Sequence, residues 1–218
     1  NVTARTTEAA ARVYADVARA IAWRQRELAD PAGTSMVSAV DHEGTMVTIV
    51  HSNSYPRFGS GLVVEGYDLI LANRAGRGFS ADPDHPNFPA AGRRPATTLH
   101  AWAIRKPDGA RLLGATPGGA NQMPWNAQTL ARLATGEADI GRLIVAPRWE
   151  WRPDDDSIRV EDGFSDSEVE LLRSSAGKLD FADRWATHSA MQIIAVDASG
   201  TVRTAAADPR TVGAALAF

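Results

Sequence analysis

Two apolar runs joined by a turn constrain this chain more than any other feature. From Met36 the apolar residues largely alternate, Asp41-His42-Glu43-Gly44 interrupts them, and a second run extends over residues 45–52. Alternation puts successive side chains on opposite faces of an extended strand, and the Asp-to-Gly tetrapeptide reverses the chain. The spacing therefore predicts a β-hairpin whose first strand starts at Thr34. Just before it, Asp30-Pro31-Ala32-Gly33 breaks the preceding element and leaves the chain exposed. One reading is a hairpin preceded by a loop. The other is an enzyme that cuts its own backbone before Thr34 and uses the new terminal amine to activate the Thr hydroxyl.

Residues 6–29 have helical spacing, with Val13, Val17, Ala20, Ile21 and Leu28 on one face and Arg12, Asp16, Arg19, Arg24 and Glu27 elsewhere. Beyond the hairpin, short strands are predicted over residues 62–64 and 69–72, and residues 73–79 are too glycine-rich to continue the second. Residues 80–95 carry four prolines and read as an ordered surface loop. Residues 99–105 and 110–115 form a hairpin turned at Pro107-Asp108-Gly109, and Trp125, Leu130 and Leu133 mark a helix closed by Gly136. Between them, Gly118-Gly119 fits a simple turn, or a turn whose backbone N–H groups converge on an oxyanion or a phosphate. In the last third, residues 144–148 end a strand, residues 158–160 form another, and Ser165-Asp166-Ser167-Glu168 is a capping box opening a helix that runs to Gly177. Residues 190–196 and 201–206 pair across Asp197-Ala198-Ser199-Gly200.

Composition narrows the chemistry. Of 218 residues 44% are hydrophobic, enough to fill a sizeable core, and there is no Cys, so thiolate nucleophiles, disulfides and Cys-based metal sites are excluded. With 23 basic against 26 acidic residues and no basic run longer than Arg93-Arg94, there is no footprint for nucleic acid. The five His have no metal-ligand spacing, no phosphate-loop or dinucleotide fingerprint occurs, and no cofactor is expected. The apolar stretches are strand-sized and nothing resembles a signal peptide, so no membrane partner is expected; the compartment stays open, with the cytoplasm favoured. The six Trp read as core or interface residues.

The motifs, taken in order, resemble a known family. Asp41-x-x-Gly44, Phe58-Gly59-Ser60-Gly61, Asn73-Arg74, Phe79-Ser80, His85-Pro86-Asn87, Gly92-Arg93-Arg94-Pro95, Pro117-Gly118-Gly119, Ala146-Pro147-Arg148 and Asp208-Pro209-Arg210 follow the order and approximate spacing of γ-glutamyltranspeptidases and their relatives. These are N-terminal-nucleophile hydrolases made as one precursor and split into a large and a small subunit. The resemblance implies an α+β fold, an αββα sandwich completed by a large subunit of the same precursor. Residues 34–218 would form the small-subunit domain, and residues 1–33 resemble the end of the large subunit. It further implies Thr34 as nucleophile, its freed amine as base, Ser52 as the hydroxyl that orients it, and Gly118 and Gly119 as the oxyanion hole. An α-amine titrates near about pH 8 in water, which suits it to take the hydroxyl proton near neutrality.

For the substrate, Thr97 and Thr98 match paired hydroxyl residues that hold a carboxylate, and Asn53, Arg74 and Arg77 are the other expected contacts. Glutamyl enzymes place acidic and amide groups around an α-ammonium, whereas this chain has Asn73-Arg74-Ala75-Gly76-Arg77-Gly78. Arg74 and Arg77 would repel such a cation. The expected substrate is therefore a carboxylate-bearing small molecule other than a γ-glutamyl donor. Relatives in actinomycete antibiotic pathways that hydrolyse a carbon–carbon bond beside a keto acid offer one alternative, and an unprocessed binding module offers another. Thr34-Ser35-Met36 stands where the family commonly has Thr-Thr-His. Whether the chain is cut at Gly33-Thr34 or processed at Asn1 is open at this point.

Overall fold

In the computed structural model, which describes residues 33–54, 59–94, 96–152 and 155–217, the first hairpin forms as its alternation predicts. β1 (Thr34–Val40) pairs antiparallel with β2 (Met46–Ser52), Thr34 lying opposite Ser52 and Val40 opposite Met46. One face, with Thr34, Met36, Val40, Val50 and Ser52, is half-buried, while Val37, Val47 and Ile49 on the other are exposed. The helix expected over residues 6–29 lies outside the described residues.

After the hairpin the elements are shorter than predicted. β3 (Val63–Val64) and β4 (Leu69–Ile70) are two-residue strands, and α1 (Arg74–Gly78) occupies the stretch expected to be irregular. This single turn of helix with two glycines is held from outside at its start and closed by its own bond at its end. The Asn73 amide donates to the Asn53 carbonyl at 2.9 Å, and Phe79 closes on the Ala75 carbonyl.

The half-buried face of the first hairpin lies on a four-stranded antiparallel sheet. It consists of β5 (Ala101–Arg105), β6 (Arg111–Ala115), β10 (Gln192–Val196) and β11 (Arg203–Ala207), ordered β11–β10–β6–β5. Both hairpins of this sheet match the alternation to within two residues at each end. α2 (Gln122–Ala134) and α3 (Ile140–Val145) cover its other face. Trp102, Leu112, Leu143, Ile144, Met191 and Ile193 form the core between sheet and helices. Gly114 is paired with Trp102, and a Cβ on Gly114 would stand 2.3 Å from the indole, so only glycine lets the ring pack there.

The strand expected to end at residues 144–148 is a helix. Asp139 caps α3 by accepting from the Gly141 and Arg142 amides, and the strand, β7 (Trp149–Arg152), begins only after Pro147. A short apolar run reads equally well either way, and here the cap decides. β7 pairs with β8 (Ser157–Glu161), and β9 (Leu179–Ala182), which the sequence pattern did not reveal, joins β8 in parallel. α4 (Asp166–Ala176) makes that crossover, opened by the expected capping box of Ser165 and Glu168. Trp149, Trp151, Ile158, Val160 and Leu172 fill this second core.

Side-chain amides join the two sheets. Gln128 on α2 both donates to the Trp149 carbonyl and accepts from its amide, at 2.9 and 3.1 Å, and Asn121 does the same for Trp151. Each amide copies the donor and acceptor pattern of a neighbouring strand. Beside this seam Arg148, Glu161, Asp208 and Arg210 form a buried charge cluster, with Arg210 bonded to Glu161 and to Asp208 at 2.9 Å and Ser189 capping Asp208. Burial pushes the Arg148 guanidinium down to about 10, with Asp208 pulling the other way.

Candidate active site

Two arginines fix how the first hairpin lies on its sheet. Arg111, at the start of β6, donates to the Gly44 carbonyl at 2.9 Å, and Arg203, at the start of β11, donates to the carbonyls of Asp41 and His42. The turn of the hairpin is thus anchored at the starts of β6 and β11. Thr34 and Ser52, at the hairpin's open end, lie toward the ends of those strands. The same end holds the segment before β5, with Thr97 and Thr98, and the segment after β6, with Gly118 and Gly119, because Ala101 pairs with Ala115.

At the open end Thr34 Oγ1 donates to Ser52 Oγ at 3.1 Å. Ser52 Oγ donates in turn to the Gly33 carbonyl at 3.2 Å and also accepts the Ser54 amide at 3.0 Å. One donor hydrogen and two lone pairs are all a hydroxyl has, so Ser52 is fully used. In the uncut chain the Thr34 nitrogen is an amide, and Ser52 links the Thr34 hydroxyl to the carbonyl of the bond that precedes it.

Gly118 and Gly119 form the turn after β6, at φ +132° and +53°. A Cβ on Gly118 would stand 2.1 Å from the Trp125 ring, which is buried and donates to the Trp149 carbonyl. The space around Gly119 is open. Neither amide has an acceptor among the described residues, the state in which N–H groups can receive an oxyanion. Asn121, bonded to Trp151 on β7, pins the far side of this turn.

The expected substrate contacts divide. Arg74 and Thr98 come together, Arg74 Nη1 donating to Thr98 Oγ1 at 3.4 Å. Thr97 is exposed, and its hydroxyl accepts from the Leu99 amide. The Asn53 carbonyl accepts from the Asn73 amide at 2.9 Å. The Arg77 side chain lies outside the described residues. Sequence reasoning missed Ser54, which is fully buried at φ +67°, its Oγ without a partner among the described residues. The repeat of hydroxyl residues at 52 and 54 was the available signal.

His100 and Asn126 join the start of β5 to α2, Asn126 Nδ2 contacting His100 Nδ1 at 2.9 Å and its Oδ1 receiving Trp102 Nε1. Burial holds His100 below its ordinary value, so it is a neutral partner in this network at pH 7. Among the described residues no cluster of His, Asp and Glu could hold a metal ion, and no helix is long and apolar enough to cross a membrane.

Comparison with known proteins gives concordant results. The family model of gamma-glutamyltranspeptidase matches residues 2–218. Oxamate amidohydrolase proenzyme from Klebsiella pneumoniae is 29% identical over 196 residues, 86% of this chain and 36% of the relative. Among solved structures, gamma-glutamyltranspeptidase from Pseudomonas nitroreducens complexed with L-DON superposes with a TM-score of 0.65 at 22% identity, covering 84% of this chain and 99% of that one. Cephalosporin acylase from Bacillus halodurans gives 0.61 at 27% identity, covering 80% and 32%. The fold is thus that of the N-terminal-nucleophile hydrolases, and the chain spans about a third of the length of the curated relatives it matches.

Proposed function

Because the chain belongs to the gamma-glutamyltranspeptidase family, whose members are hydrolases and transferases, we propose that it is the catalytic small-subunit part of a self-processing enzyme acting through Thr34. The observation that carries this reading is the Thr34–Ser52–Gly33 chain of hydrogen bonds at the open end of the hairpin. Thr34 Oγ attacks the Gly33 carbonyl carbon, an ester replaces the peptide bond, and the Thr34 nitrogen takes the proton. Water then hydrolyses the ester, leaving a Gly33 carboxylate and a free Thr34 amine. The name of the oxamate relative includes the word proenzyme, which agrees with such a step.

In the mature enzyme the Thr34 amine takes the hydroxyl proton as Oγ attacks the acyl carbon of the substrate. The amides of Gly118 and Gly119 receive the developing oxyanion, a contribution of about 3 kcal/mol for each donor. The C–N bond breaks, the leaving amine departs with the proton, and water or an acceptor amine releases the acyl group. Residues 1–33 and the remainder of the precursor supply the large subunit. The substrate is a carboxylate-bearing amide other than a standard γ-glutamyl donor, supported by Arg74 beside Thr98. The same pairing would suit hydrolysis of a carbon–carbon bond beside a keto acid, a second reading that a panel of amide substrates separates from the first.

Intact-mass analysis of the full precursor beside its Thr34→Ala variant tests the nucleophile. Cleavage at Gly33–Thr34 in the wild type alone is the expected result; cleavage in both, or in neither, removes the assignment.

A further inference from the structure

We infer that Thr116 and Asn121 are positioning residues of the oxyanion turn, each holding the carbonyl of the peptide group whose N–H is one of the two donors. This rests on the reading of Gly118 and Gly119 above and adds two residues that aim them.

In a trans peptide the C=O and the N–H point in opposite directions within one rigid plane. The Gly118 N–H therefore takes its direction from the Pro117 carbonyl, and the Gly119 N–H from the Gly118 carbonyl. Both carbonyls are tethered. Thr116 Oγ1 donates to the Pro117 carbonyl at 2.8 Å, and the Asn121 amide donates to the Gly118 carbonyl at 3.0 Å. With its carbonyl fixed on one side, each N–H is turned to the other.

The tethers are needed because a glycine has no side chain to pack, and the peptide planes on either side of Gly118 turn at little cost. Each tether is itself anchored. Thr116 is fully buried, and its Oγ1 accepts the Ala190 amide at 3.1 Å, two residues before β10, which leaves its single hydrogen for Pro117. Asn121 ends the one turn of 3-10 helix Gly119–Asn121, and its side chain brackets the Trp151 backbone, donating to the carbonyl at 3.2 Å and accepting from the amide at 3.0 Å. One donor is thus set from the four-stranded sheet and the other from the three-stranded sheet. Donors stabilise an oxyanion most when their direction is fixed before the charge develops, since no reorganisation is then required.

The test uses the full, processed protein, with p-nitrophenyl acetate and the glutaryl and γ-glutamyl p-nitroanilides as probes. Thr116→Val keeps the shape and removes the hydroxyl, Thr116→Ser keeps the hydroxyl, and Asn121→Asp keeps the acceptor for the Trp151 amide and loses the donor to its carbonyl. On the probe that the wild type turns over fastest, Thr116→Val and Asn121→Asp should lower kcat by about 10- to 100-fold with KM within about twofold, and Thr116→Ser should recover most of the loss. Self-cleavage at Gly33–Thr34, where the carbonyl receives Ser52, should keep its wild-type rate in all three. Crystal structures should show the Pro117–Gly118 peptide turned in Thr116→Val and the Gly118–Gly119 peptide turned in Asn121→Asp. Wild-type kcat in both variants, losses confined to KM, or peptide planes unmoved in both overturns the inference. Self-cleavage that falls in step with turnover marks a folding defect and overturns it too. Turnover that survives Thr34→Ala would instead overturn the nucleophile, while the peptide orientations still decide the roles of Thr116 and Asn121.

Discussion

Ser52 donates its hydroxyl hydrogen to the Gly33 carbonyl at 3.2 Å, across the bond whose cleavage would free Thr34. A donor on that carbonyl polarises it, and Ser52 Oγ also accepts from Thr34 Oγ1, so one side chain orients nucleophile and electrophile together. Ser52→Ala should slow appearance of the cleaved chain by about 100-fold, with Ser52→Thr close to wild type. A time course of intact mass reads both, and unchanged processing in Ser52→Ala would remove Ser52 from the mechanism.

The two turn glycines should respond unequally. Gly118→Ala drives a methyl to 2.1 Å from the Trp125 ring at φ +132°, so urea unfolding should show a loss of about 3 kcal/mol. Gly119 is open, and Gly119→Ala, at φ +53°, should lose about 1 kcal/mol while keeping its amide and most activity.

Ser54 separates stability from function. Its buried hydroxyl has no partner among the described residues, so Ser54→Ala removes an unpaired polar group and should leave melting temperature unchanged or higher. If that hydroxyl faces substrate, kcat/KM falls in the same variant. A lower melting temperature would show that the hydroxyl is bonded within the fold.

The Glu161–Arg210 pair should govern acid stability. Burial raises the Glu161 carboxyl, but hydrogen bonds from Arg210 and Thr187 outweigh it and hold the group below its ordinary value. A depressed native pKa contributes stability that is present above the unfolded value, about 4.3, and is lost as pH falls through the native one. Glu161→Ala leaves two buried arginines, Arg148 and Arg210, sharing the single carboxylate of Asp208 and should cost about 3 kcal/mol at pH 7. Glu161→Gln should flatten the acid limb of the stability profile, so that the two proteins converge as pH falls through the lowered native pKa of Glu161.

Local chemistry made much of the fold legible. The hairpin of Thr34 and Ser52, both hairpins of the four-stranded sheet and the Ser165 capping box follow from alternation, turn residues and a cap, each satisfied within a few neighbours. Three features were not legible. The residue 144–148 run became a helix end because Asp139 capped it, β9 is specified by its partner β8, and the helix at Arg74 is held by Asn53.

The sequence by itself determined the register that sets Thr34 opposite Ser52, because a period-two pattern shifted by one residue would turn every buried side chain outward. It also determined the glycine turn at 118–119, where φ is positive. Tertiary structure alone decided that Ser54 is buried with its hydroxyl unpartnered among the described residues, and that Arg74 reaches Thr98 with one nitrogen unpaired. It also decided that Arg111 and Arg203 hold the far turn of the hairpin. Those contacts join residues 24 to 162 positions apart, and spacing along a chain carries no record of which distant groups packing will bring within hydrogen-bond reach.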